Sequence, residues 1–420
     1  MKEANSMRDP NPMKQLLCQM DYSKISLGNL FIVSLLFAGV LYICIWSPSR
    51  SNPLLPYQKP QRICPHTRLK TIKLPIDELE LALEEAAMPN KTVIIAVVNR
   101  AYVEQSIKAD TTMLDLFLES FWLGEGTRPL LDNLLIVAVD QTAYDRCLFK
   151  RLHCYRLLTD GVDFATEKVY MSQDFIKMMW RRTNLLLDVL KRGYSFIFTV
   201  VQLLGVQDRL MLRPGLGVVG VPQAVRPFSL YIDFGHWKSL QDTDVMWMRN
   251  PFMMLDKNET EDLQISVDEY NGDPRSQKNL INTGFYFIRS NNRTIDLFRK
   301  WYGMKDNSTG MKEQDVLLEL MRKGIFKQLG MRVKFLDTQY FSGFCQDSKN
   351  IWSVTTVHSN CCRHIDAKVS DLKFVLRDWK RFTALKAKYP TMGRNKTMTY
   401  RWSPHNACKN SWKQEHNTSN

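Results

Sequence analysis

The sequence contains no RNA- or DNA-binding signature, and its lysines and arginines are scattered along the chain. Acidic residues are the minority charge, with 43 Asp and Glu against 57 Lys and Arg, so the formal net charge is +14. Such a charge favours an anionic partner, which leaves nucleic acid, a phosphate-bearing ligand or an acidic polysaccharide as candidates. The lack of a nucleic-acid-binding signature disfavours the first of these.

Cysteine is sparse, and its spacing does not match a zinc site. The chain has nine cysteines in 420 residues, and Cys361 and Cys362 are adjacent, whereas zinc ligands usually come as spaced pairs. His358 and His364 flank this pair, which makes a zinc cluster the alternative, but a disulfide is favoured. Seven of the cysteines follow residue 46, so one thiol is left over if the others pair.

Residues 27–46 (LGNLFIVSLLFAGVLYICIW) contain no charged residue. This length suffices to cross a bilayer and predicts a transmembrane helix, with a cleaved signal peptide or a buried core helix as alternatives. Residues 1–26 carry basic residues that favour a cytosolic tail, although Arg50 after the span weakens the contrast. A luminal location for the rest would permit N-glycosylation. Six acceptors follow the span, at Asn90, Asn258, Asn292, Asn307, Asn395 and Asn417.

Composition also marks the domain boundaries. Residues 47–75 are crowded with Pro, Ser and basic residues, which predicts a stem. Over 76–390, apolar runs alternate with amphipathic helical patterns, which predicts an α/β domain on a mainly parallel sheet. Residues 391–420 are expected to form a tail. A helix ending at Gly193 is also expected. The candidate strands are Thr92–Val98, Leu134–Val139 and Ser195–Thr199.

Polar residues that follow buried strands are candidate ligand contacts. In open α/β sheets, ligands bind outside the carboxyl ends of the strands. Asn99 and Arg100 follow the first candidate strand, and Asp140 follows the second. We therefore expect Asn99 and Arg100 to contact a bound nucleotide.

Two aspartates one residue apart, Asp242 and Asp244, are candidate metal ligands. Transfer of a sugar from a nucleotide diphosphate needs positive charge on the leaving diphosphate, and hard cations prefer carboxylate oxygens. An Asp-x-Asp pattern alone is weak, since a solvated turn or a helix cap would also explain it. The flanking sequence, Val245 to Phe252, strengthens the interpretation.

Several segments together resemble one family in sequence and in order. They are SFIFT, DTDVMWMRNPF, NTGFYFIRSNNRT, EQDVLLELM, GFCQ and HSNCCRHIDAKVSDLKFVLRDW. Between about Thr92 and Trp379 the chain resembles the plant nucleotide-diphospho-sugar transferases of glycosyltransferase family 77, which include rhamnogalacturonan xylosyltransferase-like proteins. The resemblance implies a GT-A type, Rossmann-like fold, retaining transfer, and a manganese ion held by Asp242, Asp244 and His358.

Two further motifs receive roles from the same resemblance. Asn282-Thr283-Gly284 opens a candidate strand and would shape the donor sugar pocket, although a tight turn needing glycine would also explain it. Gln314 and Asp315 begin a candidate helix and would act on the sugar or acceptor. The alternative is an acidic first turn that complements the helix dipole. Trp247 and Phe252 are expected in the core.

One segment departs from the family pattern. Residues 200–241 separate the strand ending at Thr199 from Asp242, where the family runs from strand to metal motif without a break. Deleting these 42 residues restores the expected junction. The segment begins with Val and ends with Gln, whose codons are compatible with GT and AG intron boundaries, so we interpret it as an aberrant insertion. A genuine surface loop is the alternative.

These observations predict a Golgi, single-pass type II membrane glycosyltransferase. We expect Mn²⁺ or another divalent cation, a nucleotide-sugar donor that is a UDP-sugar, and a cell-wall polysaccharide or glycoprotein acceptor. Complexes with other Golgi transferases are conceivable, and nucleic acid is not an expected partner. The rival hypothesis is a catalytically inactive family member that acts as a partner or scaffold, because the insertion adjoins the metal motif.

Overall fold

The computed structural model describes residues 77–104, 110–159, 173–199, 245–255, 260–308, 310–389 and 400–412. All of them lie in one compact unit, Lys73–Asn420. The predicted cytosolic tail, transmembrane span and stem lie outside the described residues, as do the insertion 200–241 and both Asp242 and Asp244. Within the described ranges, no helix is both long and apolar enough to cross a membrane.

The described residues form an α/β domain, as predicted. The strands are β1 Thr92–Val98, β2 Leu134–Ala138, β3 His153–Arg156, β4 Ser195–Thr199, β5 Val245–Trp247, β6 Leu263–Val267, β7 Ile281–Ile288, β8 Val333–Phe335, β9 Phe341–Gly343 and β10 Thr356–His358. The α-helices are α1 Glu78–Ala86, α2 Arg100–Val103, α3 Met113–Leu123, α4 Gln141–Phe149, α5 Gln173–Lys191, α6 Asn292–Gly303, α7 Glu313–Arg322, α8 Ile325–Gln328, α9 Ile365–Lys388 and α10 Asn406–Ser411.

Seven strands form the main sheet, in the order β3-β2-β1-β4-β7-β6-β8. Only β7 runs against its neighbours, so the prediction of a mainly parallel sheet is confirmed. All seven residues of β1 are buried, and alternate residues enter two apolar cores. Because successive side chains point to opposite faces of a strand, these cores cover the two faces of the sheet. The apolar run TVIIAVV is therefore a strand buried on both sides.

The third candidate strand and the helix before it also match the structure. Helix α5 spans Gln173–Lys191, and Gly193 follows it with φ of 85°, a left-handed conformation that favours glycine and ends the helix. Strand β4 then spans Ser195–Thr199, as predicted.

A second, smaller sheet packs beside the first. It has the order β5-β10-β9, with β10 antiparallel to β5 and parallel to β9. Trp247 in β5 is fully buried and stacks on Phe121, as expected of a core residue, whereas Phe252 is only half-buried. This sheet carries the sequence that follows the Asp-x-Asp motif.

Disulfides fix the region around the small sheet. Cys345 bonds to Cys361, and Cys362 bonds to Cys408, so the two adjacent cysteines have different partners. A third disulfide joins Cys147 to Cys154. The preference for disulfides over a zinc cluster is therefore correct, because neither adjacent cysteine offers a thiolate.

The domain continues past the predicted boundary at residue 390. Helix α10 is tied to the start of α9 by the Cys362–Cys408 disulfide. The Asp371 carboxylate in α9 also accepts a hydrogen bond of 2.8 Å from the Cys408 N–H. Residues 400–412, assigned by composition to a tail, thus pack on the domain.

Candidate active site at the carboxyl edge of the sheet

Chain direction gathers several polar residues at one edge of the main sheet. Asn99 follows β1, and Asp268 follows β6. Strand β1 is parallel to β4, and both β4 and β6 are antiparallel to β7, so β1 and β6 run in the same direction. Because β7 runs antiparallel to β4, its first residues, including Asn282, lie at the edge where β4 ends. This carboxyl edge is where open α/β sheets bind ligands.

His358 lies at the end of β10 and next to the sequence that follows the Asp-x-Asp motif. In the antiparallel pair of β10 with β5, His358 is the partner of Val245. His358 is only 5% exposed. That His358 shares a metal site with Asp242 and Asp244 stays a prediction, since both aspartates lie outside the described residues.

The His358 imidazole packs directly on Gly284. A Cβ atom added at Gly284 would lie 2.4 Å from His358 Cε1 and 2.8 Å from Asn282 Oδ1. Gly284 has an ordinary backbone conformation, so its role is this close approach and not a turn. The Asn-Thr-Gly motif and His358 are thus brought together.

We expect Gly284→Ala to destabilise the domain by about 1–3 kcal/mol, because the new methyl group overlaps a buried ring. The displaced imidazole should also weaken manganese-dependent binding of UDP. Gly303→Ala is the matched control, since nothing lies within 4 Å of its added Cβ. Thermal unfolding and a manganese titration of both variants measure the two effects. An unaltered Gly284→Ala protein would contradict the packing described above.

Strand β7 is irregular where the Asn-Thr-Gly motif lies. Ile265 pairs with Tyr286, but the next residue, Ser266, pairs with Asn282, so β7 bulges between them. The backbone groups of the bulge find side-chain acceptors instead. Gly284 N donates to Asn282 Oδ1 at 2.7 Å, and Thr283 N donates to Gln314 Oε1 at 2.9 Å.

Gln314 is therefore joined to the motif from the first turn of α7. Its Oε1 accepts from the Thr283 hydroxyl at 3.0 Å as well, and the residue is only 3% exposed. Asp315, the other residue predicted to act on the sugar or acceptor, is half-buried in the same turn. Both predicted residues thus lie on α7, next to the strand whose Gly284 contacts His358.

A buried ion pair anchors this turn of α7. Arg182 in α5 donates to Glu313, and both residues are buried. The Thr283 hydroxyl lies 3.3 Å from the same Glu313 oxygen, and Trp301 Nε1 donates to the Glu313 carbonyl at 2.7 Å. Removing either partner of such a pair would leave an uncompensated buried charge, so the loss of Arg182 or Glu313 should destabilise the domain.

The two residues predicted to contact the nucleotide have different environments. Asn99 is buried at the end of β1 and lines a small cavity together with Arg182. The Arg100 side chain is exposed, and its Nε donates to Glu104 at 2.6 Å. The Arg100 N–H donates to Asp140 at 2.6 Å, which connects the carboxyl ends of β1 and β2. Asn99 thus adjoins the Arg182–Glu313 pair, whereas the Arg100 guanidinium faces solvent.

The sequence reasoning missed two buried polar residues, Asp268 and Asn360. Asp268 Oδ1 accepts from Asn282 Nδ2 at 2.9 Å and from Asn360 Nδ2 at 2.8 Å. Asp268 directly follows β6, so the rule that selected Asn99 would have found it had β6 been recognised as a strand. No sequence signal pairs it with Asn360, which lies 92 residues away.

Strands β4 and β5, which lie on either side of residues 200–244 in sequence, contact each other in the core. Trp247 Nε1 lies 3.5 Å from the Thr199 hydroxyl. Thr199 also pairs with Phe285 in the main sheet, and the Phe285 ring lies 5.9 Å from the Trp247 ring. Strands β4 and β5 are therefore neighbours, although many residues separate them in sequence.

His364, the second histidine of the zinc-cluster alternative, is half-buried. Burial, followed by the charge of neighbouring Arg363, lowers the pKa of His364. Among the described residues, no three His, Cys, Asp or Glu side chains form a metal-binding group. Both aspartates predicted to bind manganese lie outside those residues.

Comparison with known proteins places these motifs in one family. The model of the nucleotide-diphospho-sugar transferases matches residues 129–202 and 239–372 and leaves 203–238 unmatched. An uncharacterised Arabidopsis thaliana protein is 51% identical over 392 residues, covering 93% of this chain and 96% of its own length. Among solved structures, CMP:2-keto-3-deoxy-manno-octonic acid synthetase complexed with CTP matches 59% of this chain and 89% of its own, at 10% identity and a TM-score of 0.30.

A relative of named activity supports the same assignment. The β-arabinofuranosyltransferase RAY1 of Arabidopsis thaliana is 23% identical over 327 residues, which cover 74% of this chain and 49% of RAY1. The family match includes the segments that contain His358, the Asn-Thr-Gly motif and Gln314. The chain belongs to the nucleotide-diphospho-sugar transferase family.

Proposed function

We propose that the protein is a metal-dependent glycosyltransferase of GT-A type, which moves a sugar from a UDP-sugar to a glycan or glycoprotein acceptor with retention of anomeric configuration. The observation that carries this proposal is the pairing of His358 with Val245. Because Asp244 directly precedes Val245 in sequence, this pairing supports a shared site for His358 and the Asp-x-Asp motif.

The proposed ligand set suits Mn²⁺ by its chemistry. Asp242 and Asp244 would supply carboxylate oxygens and His358 an imidazole nitrogen, which are donors that manganese accepts. When bound, the cation neutralises negative charge on the diphosphate leaving group. The close packing of His358 on Gly284 would hold the ring in one orientation, as metal-binding histidines require.

The proposed donor pocket combines the remaining residues of the carboxyl edge. Asn282, Thr283 and Gly284 would shape the sugar subsite, and Asn99 would contact the nucleotide, with Arg100 reaching it from the rim. Gln314 and Asp315 would bind hydroxyl groups of the donor or acceptor sugar. The hydrogen bonds from Thr283 to Gln314 Oε1 support this role, because they fix the carboxamide before a substrate arrives.

The named relative guides the choice of donor. RAY1 is a β-arabinofuranosyltransferase, which makes UDP-arabinofuranose the first donor to test, followed by other pentose and galactose donors. A cell-wall polysaccharide or a glycoprotein would be the acceptor.

Titration of the purified protein with Mn²⁺ and UDP tests the proposal, followed by release of UDP from each UDP-sugar. We expect UDP to bind only when a divalent cation is present, and one donor to release UDP faster than the others. If UDP binds equally well in EDTA, the metal-dependent mechanism is wrong. If manganese and UDP bind but no donor reacts with any acceptor, the inactive scaffold is the better function. The insertion favours that second candidate, because it adjoins the metal motif.

We also propose that the domain lies in the Golgi lumen behind a type II membrane anchor. Three disulfides support an oxidising compartment, and three of the glycosylation acceptors, Asn90, Asn292 and Asn307, are exposed.

Protein from plant cells should therefore lose apparent mass on treatment with a peptide N-glycosidase, because exposed acceptors in the lumen are glycosylated. Asn292→Gln should remove one step of that shift. Asn271→Gln should leave the shift unchanged, since Asn271 is equally exposed but is not followed by the acceptor pattern. Protein that shows no shift at all would speak against a luminal domain.

A further inference from the structure

The buried carboxylate of Asp268 occupies a central position in the candidate site. The residue is 2% exposed and directly follows β6, at the carboxyl edge of the main sheet. Taking a carboxylate out of water is costly unless hydrogen bonds replace the lost solvation. A carboxylate at this position therefore implies partners that make its burial tolerable.

Its partners come from two other elements. Asp268 Oδ1 accepts 2.9 Å and 2.8 Å hydrogen bonds from the amide groups of Asn282 and Asn360. Asn282 is fully buried at the start of β7, and Asn360 is 1% exposed, two residues after β10. One oxygen atom thus connects the ends of three strands that belong to two different sheets.

The side-chain oxygen of each asparagine accepts a further hydrogen bond from a backbone N–H near His358. Asn282 Oδ1 accepts from Gly284 N at 2.7 Å, which sets the backbone against which the His358 ring packs. Asn360 Oδ1 accepts from Cys345 N at 3.1 Å. The preceding residue, Phe344, donates its N–H to the His358 carbonyl at 2.9 Å. Two hydrogen-bonded routes therefore connect Asp268 to His358. We call them the Asn282 arm, through Gly284, and the Asn360 arm, through residues 344–345.

The Asn360 arm has little freedom to move. A Cβ atom at Gly343 would lie 2.5 Å from Asn360 Oδ1, so the β9 backbone approaches the Asn360 amide closely. The Cys345–Cys361 disulfide closes the same loop one residue beyond Asn360. A shift of the Asn360 amide must accordingly move the end of β10.

We propose that Asp268 is a positioning residue that fixes the His358 imidazole for metal binding by tying Asn282 and Asn360 to the end of β6. This inference rests on the proposed function for its consequence, since the role assigned to His358 is that of a metal ligand. In this role Asp268 acts on His358 through the two asparagines.

The other end of β6 provides a matched control. Asp262 is also 2% exposed and directly precedes the strand. It accepts 2.8 Å hydrogen bonds from Asn291 and from the Arg332 N–H, at the opposite edge of the sheet from His358. Asp262→Ala removes a buried, hydrogen-bonded carboxylate from the same strand without touching the candidate site.

The first readout is hydrogen exchange, which does not depend on activity. In Asp268→Ala, we expect peptides covering 341–345 and 356–362 to exchange faster, because the Asn360 arm has lost its anchor. Asp262→Ala should leave those peptides as in the wild type. Asn360→Ala removes only the Asn360 arm, and it should make the same peptides exchange faster. This variant replaces Asp268→Ala if the latter does not fold. Unchanged exchange in both site variants would overturn the proposal.

The second readout is manganese affinity in two backgrounds. Asp268→Ala should weaken Mn²⁺ binding about 10–100-fold, as the loss of groups that orient a metal ligand typically does. In the His358→Ala background, the same substitution should have no further effect, because the residue it orients is gone. A full additional loss in that background would show that Asp268 acts on the metal itself, which contradicts a positioning role. If the wild type binds no manganese, the proposed function fails, while the exchange result still decides whether Asp268 holds the end of β10.

Discussion

Asp244→Asn should lower kcat/KM for sugar transfer by about a hundredfold or more if Asp244 binds the proposed cation, because such a cation supplies several kcal/mol of transition-state stabilisation and each 1.4 kcal/mol is about a factor of ten. The amide keeps the size of the side chain but replaces a charged oxygen that hard cations prefer. Asp242→Asn should behave alike. Manganese affinity and initial rates with the best UDP-sugar measure the effect.

The size of the expected loss distinguishes a metal ligand from a solvated turn. Asp296→Asn is a suitable control, because Asp296 is an exposed carboxylate paired with Arg299 at 2.9 Å. Such a surface pair contributes little, so the control should keep its activity and stability. Transfer that survives in both Asp242→Asn and Asp244→Asn would mean that the motif is a structural turn, and the manganese site would have to be sought elsewhere.

Strands β1, β2 and β4 of the main sheet could be predicted because each is a short, continuous apolar run, whereas β3, β6 and β8 were not recognised. The six residues VIIAVV that follow Thr92 include no polar residue to face water, so they predict a strand covered on both sides, and β1 is one. The end of α5 was equally local, since Gly193 adopts the conformation that stops helices. Resemblance to a family then added roles for Gly284, Gln314 and His358 that periodicity alone does not provide.

The contacts within the site could not be predicted in the same way. The bulge in β7 depends on how β6 pairs with it, and Asp268 meets Asn360 only because two sheets come together at one edge. The disulfide partners of Cys361 and Cys362 likewise depend on tertiary structure. Each of these features joins residues that are distant in sequence, so no local pattern specifies them.

Removal of residues 200–241 should raise the affinity for manganese and UDP at least about tenfold, a gain of about 1.4 kcal/mol. We expect this gain because the segment would disturb the positions of the metal ligands. Metal ligands must be held to within a fraction of an ångström, and in the family pattern β4 runs directly into the Asp-x-Asp motif. The measurement is a pair of titrations on the protein with and without the segment.

The structure on both sides of the segment supports a clean junction. Thr199 and Trp247 are in contact, and joining Thr199 to Asp242 leaves three residues before Val245. Four Cα steps, which reach about 13 Å, would then connect β4 to β5. The family match also leaves 203–238 unmatched, inside the deleted range. We expect the shortened protein to fold.

Stability and binding should respond differently to this deletion. Closing a loop costs free energy only with the logarithm of its length, so the two forms should unfold at similar temperatures while their affinities differ. A shortened form that also carries Asp242→Asn should lose the gain, which ties it to the metal motif. Equal, tight binding by both forms would make the segment an accommodated surface loop in an active transferase. Binding by the shortened form alone would make the full chain the inactive scaffold, and binding by neither would refute the UDP-sugar donor.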